Sequence, residues 1–204
     1  MTRAATELGT PADPRAPDKR RVPLQAVILA CLLAVGLLYG ALTASAYGQS
    51  WDDPQDAGYG QTALKAYGGS RAYLDGGDRR YYGPLYFMFA GGLSQAAARV
   101  VPAWDAVDVR HFLNFAIFLV GLAAFFDLAR RLVGFAPALL TTLLFALQPV
   151  FFGHAFINQK DIPFLSGFLV TIALGVRAAE PGDGVMEDPL GPARNSRIVR
   201  DDDE

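Results

Sequence analysis

Cysteine, histidine and charge are all scarce in this chain. A single cysteine, Cys31, in 204 residues excludes a disulfide framework and a cysteine-built zinc site. The two histidines, His111 and His154, lack the spacing of a metal-ligand pair. There is no glycine-rich phosphate loop, no internal repeat and no basic stripe, so nucleotide cradling and nucleic-acid binding have no signal. A net charge of −2 selects no partner. Charged residues make up 19% of the chain against 52% hydrophobic, and the apolar residues are bunched in runs rather than spread periodically. Bunching of that kind points away from a soluble globule and towards lipid.

What is present is a series of long apolar runs. Val22 to Ser50 carries no charge, and at about 1.5 Å per residue its apolar core covers a bilayer. "TASA" mimics a signal-peptide cleavage site, but the length of the run and the polar residues before it favour a retained anchor. The expected fold class is therefore an all-α integral membrane protein with about four transmembrane helices, near 23–45, 110–132, 135–156 and 162–178. The segments 1–21 and 179–204, rich in Pro, Gly and charge, read as disordered tails.

Charge placement orients the spans. Lys19, Arg20 and Arg21 precede the first run and put the N-terminus in the cytosol by the positive-inside tendency. Arg130 and Arg131 are cytosolic too if the uncharged stretch 81–98 does not cross, and both tails then face the cytosol of a multi-pass plasma-membrane protein. The large loop 46–108 becomes extracytoplasmic, with interfacial helices near 54–67 and 82–100. It holds seven of the eight tyrosines and both tryptophans, rings that favour the headgroup layer. A small tyrosine-cored ectodomain is the other reading of that loop.

Two polar clusters fall on this outer side. The first is "SWDDPQDAGYG". Pro54 suits the first position of a helix, which makes Asp53 a natural N-cap with Asp56 near the positive end of the dipole. Asp52 has no such structural duty, and beside Trp51 it could serve as a general base or as an acceptor for a metal or ligand. The second is "FFGHAFINQKDIPF". Asp161 can cap the fourth span, and Lys160 can snorkel to headgroups. His154 and Asn158 share a helical face if the third helix runs that far. Together they make a site for an anionic group, with Lys160 and His154 as donors. Carboxylates in one connector and a cation in the other suit a phosphate-linked lipid donor: the cation holds the departing phosphate and the carboxylate deprotonates an incoming hydroxyl.

These two stretches, "WDDPQDAGYG…YYGPLYF" after a first span and "PVFFGHAFINQKDIPF" after a third, resemble the start of the GT-C-type polytopic glycosyltransferases. The nearest group is the family 39-like one, with the protein mannosyltransferases and aminoarabinose transferases. The resemblance covers about residues 20–178. It implies a polyprenyl-phosphate-linked sugar donor and inverting transfer on the extracytoplasmic side. It places Asp52 at the first acid of the family's Asp-Glu pair, the base. Asp53 stands where those proteins have Glu, a shorter arm for supporting the base or, with Asp52, for holding a divalent cation. It also implies that His154, Asn158, Lys160, Asp161 and Tyr59 bind the donor. Such enzymes have many more spans. This chain is thus expected to be an amino-terminal portion, to rely on a second chain for the missing helices, or to be a non-catalytic membrane subunit.

Overall fold

The computed structural model describes residues 24–75, 77–97 and 99–180. The expected tails at 1–21 and 179–204 lie outside these residues, apart from Ala179 and Glu180. The described residues form seven α-helices joined by short 3-10 turns, with no strand among them. They are α1 (Leu24–Thr43), α2 (Asp53–Lys65), α3 (Leu85–Ala97), α4 (Ala106–Val133), α5 (Phe135–Ala146), α6 (Pro149–Ile157) and α7 (Asp161–Ala179). Three of them, α1, α4 and α7, are long and apolar enough to cross a membrane, and the α5–α6 pair makes a fourth candidate, bent by 64°.

That bend corrects the straight third span expected at 135–156. Pro149 cannot donate to the preceding turn and disfavours helical backbone in the residue before it. Gln148 accordingly takes extended angles, φ −63 and ψ 121, and its side chain accepts from the Phe151 N–H to start a new helix. The other spans sit close to expectation. Helix α4 begins a few residues early because Asp105 and Asp108 form a reciprocal capping box before the apolar run. The stretch 81–98 contains α3, whose 13 residues at about 1.5 Å each are too short for a hydrocarbon layer of about 30 Å. It packs on α2 and α4 instead.

Helix α4 is the centre of the bundle, in contact with α1, α3, α5, α6 and α7. Its buried Phe115, Phe118, Leu119, Leu122 and Phe126 recur at helical spacing and form one stripe. Phe115 stacks on Phe156 of α6, with ring centroids 4.3 Å apart, and Tyr47 stacks on the other side of Phe156 at 4.2 Å. Helix α7 lies close to α4 because position 121 is glycine: a Cβ there would stand 2.6 Å from Ser166 Oγ. By contrast α1 and α7 leave Leu38, Leu42, Phe164 and Phe168 exposed, an apolar outer surface.

Side-chain contacts define two ends. Gln25 and Ala26 of α1, Asp127 and Arg130 of α4 and Arg177 of α7 line one cavity at a basic end. The α1–α2 linker, His111 of α4 and the α6–α7 connector meet at the other. Both polar clusters singled out in the sequence lie at this second, connector end.

Gly60 of α2 faces the Phe87 carbonyl of α3, and a Cβ there would come within 2.4 Å of that oxygen. Gly60→Ala is expected to force α2 and α3 apart and cost about 1–3 kcal/mol. Gly58→Ala on the same helix meets open space and should gain from helix propensity, about 0.5–1 kcal/mol. Thermal unfolding of the two variants in one detergent checks the pair; equal midpoints would overturn the packing account.

Candidate functional site

Local sequence sets the scaffold. Pro54 sits in the first turn of α2, which begins at Asp53 beside the linker, and Asp56 follows Asp53 by about one turn and is buried. The segment 77–81 coils into a 3-10 turn that carries Arg79 back towards α2. On the opposite wall α6 ends at Ile157, and Asn158 turns the chain into α7. The Asn158 Oδ1 accepts from the backbone N–H of Lys160 and of Asp161 at 3.1 and 2.9 Å and orders the turn before α7, whose N-cap position is Lys160, with Asp161 the first helical residue and not the cap. The Asp161 carboxylate accepts from Asn158 Nδ2 at 2.9 Å.

The two acidic residues behave differently. Asp53 is not the N-cap of α2. It is 1% exposed and faces the interior, where it accepts from Ser50 N–H at 2.7 Å and Gln159 Nε2 at 2.6 Å, with His111 Nε2 at 3.4 Å. Burial pushes its pKa up, but these donors outweigh it and hold the carboxyl below its ordinary value. Asp52 faces outward with its side chain 49% exposed. Its Oδ2 accepts from Lys160 Nζ at 2.7 Å and its Oδ1 from Arg79 at 2.9 Å. The Lys160 ammonium hydrogen bond, aided by Arg79, lowers the Asp52 pKa. Asp56 is buried and accepts from Arg79 Nε at 2.9 Å, yet burial raises its pKa.

The two connectors thus close over one cavity of about 400 Å³, walled by Asp52, Asp56, Tyr82, His154, Asn158 and Lys160, with Ser50, Trp51, Gln159 and Asp161 at its margins. Lys160 also lies over the Tyr82 ring, 5.5 Å from its centroid. The Ser50 hydroxyl is buried with no hydrogen-bond partner among the described residues. His154 is exposed on the cavity wall, and its ring has no hydrogen bond among them either. Asp52, His154, Asn158, Lys160 and Asp161 are therefore brought together. Asp53 supports them from behind, and Tyr59 is not among them: it is buried against Phe87 and donates to the Tyr82 carbonyl at 3.1 Å.

Four residues of the site carry no assignment from the sequence. Arg79 is the second cation. His111 and Gln159 hold Asp53. Asn114, buried in α4, donates to the carbonyls of Ala155 and Asn158, both at 3.0 Å, and accepts from the Tyr86 hydroxyl at 2.9 Å. It satisfies the orphan carbonyls at the end of α6. His111 and Asn114 stand one turn apart inside an apolar run, and that was the available signal, since polar groups at such positions are costly and face partners. Among the described residues no group of three or more His, Cys, Asp or Glu side chains could hold a metal ion. Comparison with family models, curated proteins and solved structures finds no match to this chain.

The lowered Asp52 pKa has a stability consequence. A carboxyl depressed on folding contributes stability that is present above its unfolded pKa, about 3.9, and is lost as pH falls through the folded value. Asp52→Asn should therefore be less stable than the parent at pH 7, with the gap closing only below the usual carboxylate range. Unfolding midpoints measured against pH read this directly; a gap independent of pH would place the effect outside the ion pair.

Proposed function

We propose that this chain is a membrane glycosyltransferase, or the amino-terminal part of one, that moves a sugar from a polyprenyl-phosphate-linked donor to an acceptor hydroxyl on the extracytoplasmic side. One observation carries the reading: Asp52 and Lys160, 108 residues apart, meet at 2.7 Å on the wall of an open polar cavity beside candidate spanning helices. Paired with Lys160 and Arg79, Asp52 is a poor base, because the two cations hold its proton affinity down. A donor phosphate arriving at Lys160 competes with Asp52 for that ammonium and loosens its hold on the carboxylate. The acceptor hydroxyl then attacks the anomeric carbon, its proton passes to Asp52, and the sugar–phosphate bond breaks. The polyprenyl phosphate departs on Lys160 and His154. The apolar groove of α1, α4 and α5 and the exposed faces of α1 and α7 fit lipid or further helices, which a second chain would supply if the bundle is one half of a larger one.

A non-catalytic membrane subunit is the second reading, and the charge balance favours it. The cavity wall carries Asp52, Asp56 and Asp161 against Lys160, with Arg79 behind, and every one of these groups already has a partner. On that reading the ion pairs clasp the two connectors and nothing more.

Asp52→Asn is expected to abolish sugar transfer, at least a thousandfold, while membrane insertion is kept; Lys160→Met should mainly weaken donor binding, by about tenfold or more. A radiolabelled polyprenyl-phosphate sugar and membranes expressing each variant, with any partner chain present, supply the assay. Unchanged turnover in Asp52→Asn would overturn its role as base, and lowered stability with unchanged donor affinity in Lys160→Met would establish the clasp. Sidedness is checked separately. In a Cys31→Ser background, a cysteine at 160 should react with an impermeant reagent on intact cells and a cysteine at 130 only after permeabilisation. The reverse pattern would invert the topology.

A further inference from the structure

At the basic end, far from this cavity, five charged side chains converge. Asp127 of α4 accepts from three guanidinium groups: Arg130 through Nε and one terminal nitrogen at 3.0 and 2.8 Å, Arg131 through Nε at 3.1 Å, and Arg177 of α7 through Nε at 3.0 Å. Glu180 pairs with Arg131 through a terminal nitrogen. Three cations face two anions, so the cluster keeps a net positive charge.

The way the arginines are held matters more than the count. Asp127 is nearly buried, and both its oxygens are filled. Because it takes Arg177 by the Nε edge, the two terminal nitrogens of Arg177 have no partner among the described residues, and Arg130 likewise keeps one. The Arg177 fork presents the planar pair of donors that fits a phosphate diester, and Arg130 adds a single nitrogen beside it. The arginines occupy the last turns of α4 and α7, where the negative ends of the helix dipoles favour cations. Beside them is a cavity of about 340 Å³, lined by the polar side chains of Arg130, Arg177, Gln25 and the arginine-paired Asp127 and by the apolar side chains of Leu29, Ala123 and Phe126. A lining of both polar and greasy side chains suits a molecule with a phosphate and a hydrocarbon chain.

We propose that this cluster is a binding site for the phosphate headgroup of an anionic phospholipid in the leaflet at the basic end, with Arg177 and Arg130 as its donors and Asp127 as the positioning residue that sets their direction. The proposal rests on the membrane-spanning reading of α1, α4 and α7 and is independent of any activity at the connector end. The recognised chemistry is a phosphate, and the source is a lipid because the apolar part of the cavity lining gives free phosphate nothing to hold.

The test uses the full chain with vesicles of phosphatidylcholine containing a minor fraction of phosphatidylglycerol. Flotation first establishes membrane association; a chain that does not float defeats both the spanning reading and this site. For chain that floats, lipid retained after detergent extraction is weighed by mass spectrometry. Phosphatidylglycerol is expected to be enriched over phosphatidylcholine, and Arg177→Gln to lower that enrichment about fivefold, the worth of one basic group near an anionic surface. Arg71→Gln, the same charge change on an exposed loop away from the cluster, should leave it unchanged. Asp127→Asn separates an arranged site from a merely positive surface: it makes the end more positive, so a diffuse surface would gain enrichment whereas the arranged site loses it. Arg177→Lys, which keeps the charge without the fork, serves the same purpose if Asp127→Asn does not fold. Inorganic phosphate and glycerol phosphate are added in a parallel arm. Displacement of the lipid by either at millimolar concentration, no enrichment in the parent, or equal losses in Arg71→Gln and Arg177→Gln would overturn the proposal.

Discussion

The connector end depends on one buried carboxylate. Asp53 joins the α1–α2 linker through Ser50, the α6–α7 connector through Gln159 and the central helix through His111. An ionised group so deep is tolerated only when its oxygens are filled, and here every donor comes from a different segment. The consequence is geometric. With Asp53 fixed, its neighbour Asp52 must point the other way, into the cavity, and Gln159 must hold its neighbour Lys160 on the facing wall. Two adjacent pairs, one residue of each buried and one presented, place the exposed charges opposite each other.

The second constraint is how the apolar part accommodates polar groups. Helix α4 carries Asn114, His111 and Asp127 along a buried stripe of phenylalanines and leucines; neighbouring elements partner the first two, and Asp127 is filled by Arg130 of its own helix together with Arg177 of α7. Asn114 allows α6 to stop short at Ile157, because its amide takes the carbonyls that a continuing helix would have used. The break before Pro149 and this early stop together shape the cavity wall that holds His154 and Asn158. Packing, hydrogen bonding and site geometry are one problem here.

Much of this was readable from residue order. Uncharged runs gave the helices and their approximate limits, since long apolar segments need no tertiary information to be recognised. The two polar connectors were visible because Asp52 and Lys160 interrupt those runs. Pro149 carried the signal for the broken third span, but its apolar neighbours masked it. Asp53, expected to cap α2, turns inward to Gln159 and His111 instead, and nothing local ties either to position 53. Arg79 sits among several charges of a long loop, and only the 3-10 turn at 77–81 aims it at Asp52 and Asp56. Pairings over such separations are set by how the bundle closes, which spacing along a sequence does not encode.

Close contact at Gly121 removes any slack between α4 and α7, and charged or amide ties lie beyond both ends of that contact: Arg177 to Asp127 below, Gln159 through Asp53 to His111 above. Sliding or rolling of α7 by a single residue would strip a buried carboxylate of its donor at one end or the other. The two helices are consequently locked in register as a single strut. The bent α5–α6 arm is tied to the same strut at its far end, by Phe156 stacked against Phe115 and by the Asn114 amide, so both walls of the cavity are anchored on α4.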